Sequence, residues 1–373
     1  MGSIKSMLLS HACGGEQAEC MPTISLSPTL DRAVQSFPSP RLYLGAASSG
    51  LPTRETVAAQ KADLDLWAAG RRNPMDYDGI VAATRADYAQ LVGVDASRVA
   101  IGSQTSAIAS VLAAAVPAGA EVLCVLGDFS SMVFPFLQRR DITVRSVPLA
   151  DLAAEITDAT WLVAFSHVQS ATGSVADTAA VIAAAAAHDA FTFCDTTQSA
   201  GVHPVDAALF DATVCHAYKW LCAPRGVAFL TVGERFQREL VPIQAGWYAG
   251  AAVWQSCYGP TMELAGDARR FDVSPAWPAW VGAQPAIRLF ASLDMDEVWA
   301  RASGLGDALC DALGIERQHQ AIVTWADPTG RDLGRLVAAG ITASGRAGLL
   351  RAAFHLWNDE SDVAAVVAAL GRG

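Results

Sequence analysis

The stretch Val214-Cys-His-Ala-Tyr-Lys-Trp-Leu-Cys-Ala-Pro-Arg-Gly226 decides how this chain is read. An apolar run from Ala212 to His216 reads as a short buried strand, and Lys219 follows just beyond its end. A second such run, Phe191 to Asp195, ends 24 residues before that lysine. A lysine where a strand opens into a pocket can be desolvated enough to lose its proton, yet exposed enough to react. Its amine condenses with an aldehyde, and a buried carboxylate holds a pyridinium nitrogen protonated. Those are the two protein groups that pyridoxal phosphate (PLP) requires. Singly, Lys219 reads more plainly as a solvated loop lysine and Asp195 as a helix cap. The pair, joined by the other strand ends described below, reverses that reading.

Around the pair, short apolar runs alternate with Ala-rich stretches of helical spacing. Val99–Gly102 leads into Ser106–Ala115, and Glu121–Leu126 into Ser130–Arg139. Ile142–Val147 is strand-like, Trp161–Ser166 precedes a helix over Asp177–His188, and Val227–Val232 adds a further core strand. This alternation predicts an α/β fold with a largely parallel sheet covered on both faces. A helix is expected from Arg54 to Gly70. Leu240 to Pro278 is irregular and aromatic, the expected seam between domains. Beyond it, two strand candidates, Ile322–Trp325 and Leu349–Phe354, alternate with helices. The expected organisation is an irregular N-terminal arm over residues 1–40, a large cofactor-binding domain over 41–265 and a small α+β domain over 266–373.

Of the 373 residues, 52% are apolar and 17% charged, which suits a compact α/β enzyme. The formal net charge of −11 argues against a nucleic-acid surface, which clusters Lys and Arg. The longest apolar run, Ala179–Ala187, is too short to span a bilayer, so no membrane partner is expected. The first residues, with only Met7-Leu-Leu9 apolar, do not read as a secretory signal, and a cytoplasmic location follows by default. The eight cysteines, at 13, 20, 124, 194, 215, 222, 257 and 310, form no Cys-x-x-Cys pair and no zinc-ligand spacing. Reduced thiols and no structural metal are expected.

Ligands of open parallel sheets bind at the carboxyl ends of the strands, and polar residues gather at those ends here. Gly102-Ser-Gln-Thr-Ser-Ala107 opens a helix whose free N–H groups and dipole suit a phosphate, although an ordinary helix cap reads equally well. Gly127-Asp-Phe-Ser-Ser131 brings Phe129 toward the same crevice, as a ring to stack on a flat heterocycle or as a core residue. Gln169 or Ser170 closes a third strand within reach of a ring hydroxyl, and Asp195 with Gln198 closes a fourth.

The segments Asp195-Thr-Thr-Gln-Ser-Ala-Gly201 and His216-Ala-Tyr-Lys-Trp-Leu-Cys-Ala-Pro-Arg-Gly226 resemble the class V branch of fold-type I PLP-dependent enzymes, from about Tyr43 to the C-terminus. That branch holds cysteine desulfurases, kynureninases, isopenicillin N epimerase-like proteins, ergothioneine C–S lyases and lincosamide-tailoring enzymes. The resemblance implies a mixed, mostly parallel seven-stranded sheet, a small α+β C-terminal domain, PLP as cofactor and a homodimer. By position it implies Lys219 as the lysine that carries the cofactor and Asp195 as partner of the pyridine nitrogen. Gln198 would touch the ring oxygen, Phe129 would stack, and Gln104, Thr105, His216 and Tyr218 would reach the phosphate. Leu350-Arg-Ala-Ala-Phe-His-Leu-Trp-Asn358 with Asp362 resembles the family's C-terminal stretch, which implies Arg351 as the clamp on the substrate α-carboxylate. A planar guanidinium suits that task because it grips a carboxylate bidentately.

The departures narrow the chemistry. Ala339-Gly-Ile-Thr-Ala-Ser-Gly-Arg346 has no cysteine where desulfurases carry their nucleophile. Tyr218 stands for their histidine beside the lysine, a kynureninase-like feature, as is Gly246-Trp-Tyr. Ser170 replaces an asparagine, and Arg270-Phe-Asp-Val-Ser-Pro275 replaces a Gly-Thr that reaches the second subunit, leaving Ser274 as a weak candidate for that contact. The resulting expectation is a PLP-dependent C–S lyase that cleaves a cysteine S-conjugate by β-elimination in secondary metabolism, for an antibiotic or a thiol. The alternatives are decarboxylation coupled to oxidative deamination, transamination or epimerisation of an amino acid, and a catalytically inert PLP-fold binding module.

Overall fold

The computed structural model describes residues 27–38 and 42–372. The expected apolar scrap at Met7–Leu9, and Cys13 and Cys20, lie outside them. In chain order the elements are α1 (Pro28–Gln35), α2 (Arg54–Ala68), α3 (Asp76–Leu91), β1 (Val99–Gly102), α4 (Thr105–Ala115), β2 (Glu121–Val125), α5 (Ser130–Leu137), β3 (Thr143–Val147), β4 (Thr160–Ser166), α6 (Thr178–Ala187), β5 (Phe191–Asp195), β6 (Ala212–His216) and β7 (Ala228–Val232). They continue with α7 (Glu234–Gln237), α8 (Trp277–Ala291), α9 (Met295–Leu313), β8 (Ile322–Ala326), α10 (Arg331–Ala338), β9 (Ser344–Arg346), β10 (Leu349–Ala353) and α11 (Glu360–Leu370).

Seven strands form one sheet in the order β1-β7-β6-β5-β4-β2-β3. Neighbours from β6 to β3 run parallel, and β7 is antiparallel to both β6 and β1. Successive residues of one strand enter different cores: Val122 and Cys124 pack with α4 and α5, whereas Leu123 and Val125 pack with α6. Burial on both faces explains why these strands are unbroken apolar runs rather than alternating ones. The edge strand β3 is the exception. It is largely solvent-facing, and Arg145 ties it to Glu121 and Glu155, charges that blunt an exposed edge. A second sheet, β8-β10-β9, is antiparallel and packs with α9, α10 and α11 in the C-terminal region.

Three features differ from the sequence expectation. Within the arm expected to be irregular, Pro28–Gln35 is a helix: Ser27 caps the Leu30 N–H and proline stands in the first turn. The helix α3 was not expected, and the hairpin strand β9 was not either. The aromatic segment from Leu240 to Pro278 is indeed irregular, but its tryptophans pack internally. Trp277 stacks on Tyr77, Trp254 donates to Asp78 and touches Trp247, and Trp280 of α8 is fully buried against Phe229.

The stretch Arg270–Pro275 has a structural task. The Asp272 carboxylate accepts from Arg85 of α3 at 2.6 Å and from the Ile101 N–H at 2.8 Å, and Arg85 also donates to the Val99 carbonyl. The pair is buried, and burial holds the Asp272 carboxyl above its ordinary range despite the guanidinium. Ser274, two residues on, is exposed. Removing one member of a buried pair strands the other charge, so Asp272→Ala should cost about 3–5 kcal/mol, read from the midpoint and slope of urea unfolding. The double variant Arg85→Met with Asp272→Leu should lose much less. A single variant as stable as the parent would refute this strut.

Candidate active site

Lys219 lies at the carboxyl edge of the parallel strands, where the loops after β2, β4, β5 and β6 meet. A small cavity there is lined by Phe129, Ser166, Val168, Ser170, Asp195, Thr197, Gln198 and Lys219. The lysine is 5% exposed, and its amine stands 5.3 Å from the centre of the Phe129 ring and 5.8 Å from that of Tyr218. Two glycines hold its backbone. The Gly50 N–H donates to the Tyr218 carbonyl at 2.9 Å, and a Cβ on Gly50 would lie 2.0 Å from the Lys219 carbonyl oxygen. Gly201, at φ +98°, presses on the Trp220 carbonyl, which a Cβ would meet at 2.7 Å. Burial lowers the Lys219 amine to about 8; Asp195 opposes that shift, while Arg351 and Arg346 reinforce it.

Asp195 ends β5 and is buried, with Oδ1 accepting the Thr197 N–H at 2.8 Å. Burial raises its carboxyl to about 6, while the Thr197 hydrogen bonds and Lys219 pull it down. The shifts of both partners carry the same message: desolvation outweighs their mutual attraction. Asp128, which the sequence reading passed over, raises Asp195 further. It accepts from the Ser166 hydroxyl at 2.6 Å and the Ser166 N–H at 2.8 Å, and so ties the loop carrying Phe129 to the end of β4.

Gln198 reaches the cavity with its amide already engaged. Its Nε2 donates to the Ala47 carbonyl at 3.0 Å and the Ser170 hydroxyl at 2.9 Å, and its Oε1 accepts from the Trp220 indole at 2.8 Å. A contact from Gln198 to a ring oxygen therefore requires one of these bonds to yield. The indole bond also locks the residue after Lys219. Behind it, His355 of the C-terminal region is fully buried and hydrogen-bonds the Trp220 carbonyl at 2.8 Å. Neither Trp220 nor His355 was singled out in the sequence, because nothing local marks a partner 135 residues away.

Arg351, on β10, is 1% exposed. Its guanidinium donates to the Ser344 hydroxyl at 3.1 Å, the Ser48 hydroxyl at 2.9 Å, and the carbonyl and hydroxyl of Ser170. Every one of these acceptors is neutral. Burial, reinforced by Arg346, lowers its guanidinium to about 10. A buried cation held only by hydroxyls and a carbonyl is suited to receive an anion.

His216 ends β6, in edge contact with Tyr218 at 4.4 Å between centroids. Its Nε2 is buried with no hydrogen-bond partner. Burial lowers the imidazole to about 4, and Arg225 and Lys219 push it the same way. Gly102 and His216 both pair with Ala228 of β7, so β1 and β6 end at the same level. The start of α4 then lies about 10 Å from His216 across two strand spacings. There Thr105 is buried, and Gln104, the N-cap, is exposed and makes no capping bond with its side chain. The structure thus gathers Lys219, Asp195, Phe129 and Gln198 around one cavity, with Tyr218 beside the lysine, Arg351 hydrogen-bonded to Ser170 of the cavity lining, and Gln104 and Thr105 farther along the same edge.

Cavity size alone points elsewhere. A far larger cavity, about 530 Å³, is lined by Arg98, Val232, Glu234, Arg238 and Arg270 among others, whereas the one beside Lys219 encloses about 10 Å³. Val232 pairs with Ala212, the first residue of β6, so the large cleft lies at the amino end of the parallel strands. Ligands of such sheets bind at the opposite end, and the perturbed groups decide for the Lys219 site.

The family Aminotransferase class-V matches residues 43–329. The chain is 29% identical over 300 residues to a kynureninase of Deinococcus radiodurans, covering 74% of this chain and 72% of that protein. It is 28% identical over 269 residues to the isopenicillin N epimerase of Streptomyces clavuligerus, covering 63% and 66%. Among solved structures, the cysteine desulfurase CsdA of Escherichia coli superposes with a TM-score of 0.79 at 20% identity, over 92% of this chain and 98% of that one. The cystine C-S lyase C-DES, bound to its product cysteine persulfide, gives 0.79 at 20% identity over 88% and 97%. Fold and family match agree: the chain belongs to the class V aminotransferase family of fold-type I, PLP-dependent enzymes.

Proposed function

We propose that this protein is a PLP-dependent lyase that expels a thiol from the β-carbon of a cysteine S-conjugate. The observation that carries the reading is Arg351, a buried guanidinium with neutral partners only, coupled electrostatically to Lys219. A carboxylate bound there would set an α-amino acid against the lysine. Support for release of sulfur as a free thiol comes from the cysteines. The Ala339–Arg346 segment has none, and burial pushes the Cys124 and Cys215 thiols up to about 12 and those of Cys194 and Cys222 well above their ordinary value. None of these four can serve as a thiolate acceptor. The likeness to C-DES, a cystine C-S lyase, agrees with this reading.

The residues fit the cofactor on a structural criterion, the unpartnered buried Nε2 of His216 beside the cations of Lys219 and Arg225. His216 with Thr105 and Gln104 would hold its phosphate, Asp195 its ring nitrogen, Phe129 its face and Lys219 its aldehyde. When bound, PLP supplies an electron sink that stabilises negative charge at the substrate Cα. Arg351 orients the α-carboxylate and so fixes which Cα bond stands perpendicular to that sink. The Lys219 amine takes the proton from Cα, the Cβ–S bond breaks with its electron pair leaving on sulfur, and the thiolate is protonated as it departs. Asp195, kept anionic at neutral pH, holds the ring nitrogen's proton. The net reaction converts conjugate and water into pyruvate, ammonia and thiol. A homodimer, a cytoplasmic location and a role in antibiotic or thiol biosynthesis complete the proposal; among the described residues no helix is long and apolar enough to cross a membrane.

Incubating the PLP-loaded enzyme with cysteine S-conjugates, with kynurenine as control, should yield pyruvate, ammonia and thiol. Carbon dioxide with an aldehyde, or a requirement for a 2-oxo acid, would refute elimination. Lys219→Ala should lower turnover by roughly 10²–10⁴-fold and remove the visible absorbance of the lysine-linked cofactor. Asp195→Asn should lose about 3–5 kcal/mol of cofactor or transition-state binding, and near-normal turnover would exclude its assignment. Arg351→Gln should raise KM about a hundredfold with a smaller effect on kcat. In the cofactor-free chain, an isotopically methylated Lys219 should titrate near 8, below the roughly 10.4 of a free lysine. Capture of aldehydes by the unmodified Lys219 amine should therefore accelerate as pH rises from 6 to 9, and a midpoint above 10 would contradict its burial.

A further inference from the structure

The hairpin β9–β10 carries two arginines toward the same space. Arg351 pairs with Ser344 and Leu349 with Arg346 in an antiparallel ladder, so Ser344, Arg346, Leu349 and Arg351 share one face. The hydrogen bond from the Arg351 Nε to the Ser344 hydroxyl confirms that face. Arg346 and Arg351 are then diagonal neighbours, about 7–8 Å apart at the backbone. Like charges so placed repel, and Arg346 depresses the ionisation of both Arg351 and Lys219. The one hydrogen bond of the Arg346 side chain goes to the neighbouring Gly345 carbonyl at 2.7 Å, and the ion pairs among the described residues include neither arginine. Arg351 is sealed in, whereas Arg346 is exposed at the lip, next to the tight turn of Ala347 (φ +49°) and Gly348 (φ +77°).

We propose that Arg346 forms a second anion subsite, so that the preferred substrate is an amino acid carrying an additional carboxylate, or a comparable anionic group, at the far end of its side chain. This deepens the reading of Arg351 as the α-carboxylate clamp and rests on it. With the α-carboxylate on Arg351 and the amine directed to Lys219, the substrate side chain points back toward the open rim where Arg346 stands. A distal acid there offsets the repulsion between the two guanidinium groups, which a neutral amide cannot do. For a cysteine S-conjugate, the thiol released would itself bear the acidic group.

The test is equilibrium binding to the PLP-loaded enzyme, because binding does not depend on which bond breaks. S-carboxymethylcysteine and its neutral carboxamide analogue are titrated by the change in visible absorbance, with glutamate and glutamine as a second matched pair. The parent protein should prefer each acid by about two- to fivefold, and Arg346→Gln should bring the ratio to about one, as expected for loss of one exposed ion pair. Raising the salt concentration should erode the preference in the parent and leave the variant's ratio unmoved. Equal binding of acid and amide by the parent, or an acid preference that survives in Arg346→Gln, overturns the subsite. Failure of the underlying reading looks different: Arg351→Gln would then leave the affinity of all four compounds unchanged, whatever the ratio.

Discussion

Desolvation of the Lys219 amine is the constraint on which the rest of the site depends. An amine in water at neutral pH is protonated and inert toward aldehydes. One sealed beneath Phe129 and Tyr218, facing a single carboxylate, is held near the point of losing its proton. Burying a charge is unfavourable, and the surroundings must prevent the lysine from escaping to solvent. Gly50 and Gly201 allow two backbone segments to approach the Tyr218–Trp220 turn more closely than any side chain would permit. From farther away, Gln198 holds the Trp220 indole and His355 its carbonyl. The lysine is placed by its neighbours' main chain.

That arrangement joins the two sheets. His355 stands two residues beyond the end of β10, so the strand that presents Arg351 also delivers the ring that braces Trp220. Ser170, at the end of the β4 loop, accepts from both Arg351 and Gln198. A shift of Arg351 on binding a carboxylate would therefore be felt at Gln198, and through Trp220 at the lysine. Substrate recognition and cofactor positioning share one hydrogen-bond network, which makes additive effects of substitutions at Ser170, Gln198 and Arg351 improbable on physical grounds.

The parts of this architecture that were legible in the sequence are those with short-range signatures. Parallel strands buried on both faces leave unbroken apolar runs, and the ends of those runs located Asp195, Phe129, Gln198 and Lys219. What the sequence concealed has identifiable causes. The buried face of α3 includes Thr84 and Arg85 beside Val81 and Tyr88; Thr84 donates to the Ile80 carbonyl one turn back and Arg85 to distant Asp272, and such buried polar residues erase the periodicity by which a helix is found. The helix α1, by contrast, was missed within the arm expected to be irregular, although Ser27-Pro-Thr-Leu-Asp31 carries a cap, a first-turn proline and a first-turn acid. Asp128, Asp272 and His355 act through partners 38, 187 and 135 residues away, separations at which no local pattern survives.

The electrostatics of the carboxyl edge run against those of the whole molecule. The chain carries a formal net charge of −11, yet Lys219, Arg225, Arg346 and Arg351 surround a site whose nearest acids are the buried Asp195 and the half-buried, loop-bound Asp128. A site with this balance is unfinished without anions. A phosphate beside His216 and a carboxylate on Arg351 would supply them, and each would raise the proton affinity of the groups around it. Burial, reinforced by the cationic surroundings, lowers the lysine's proton affinity to about 8 before binding; seating both anions would raise it again, so that the same amine can take and hold a proton from Cα. The acid–base poise of Lys219 is set by what occupies the site.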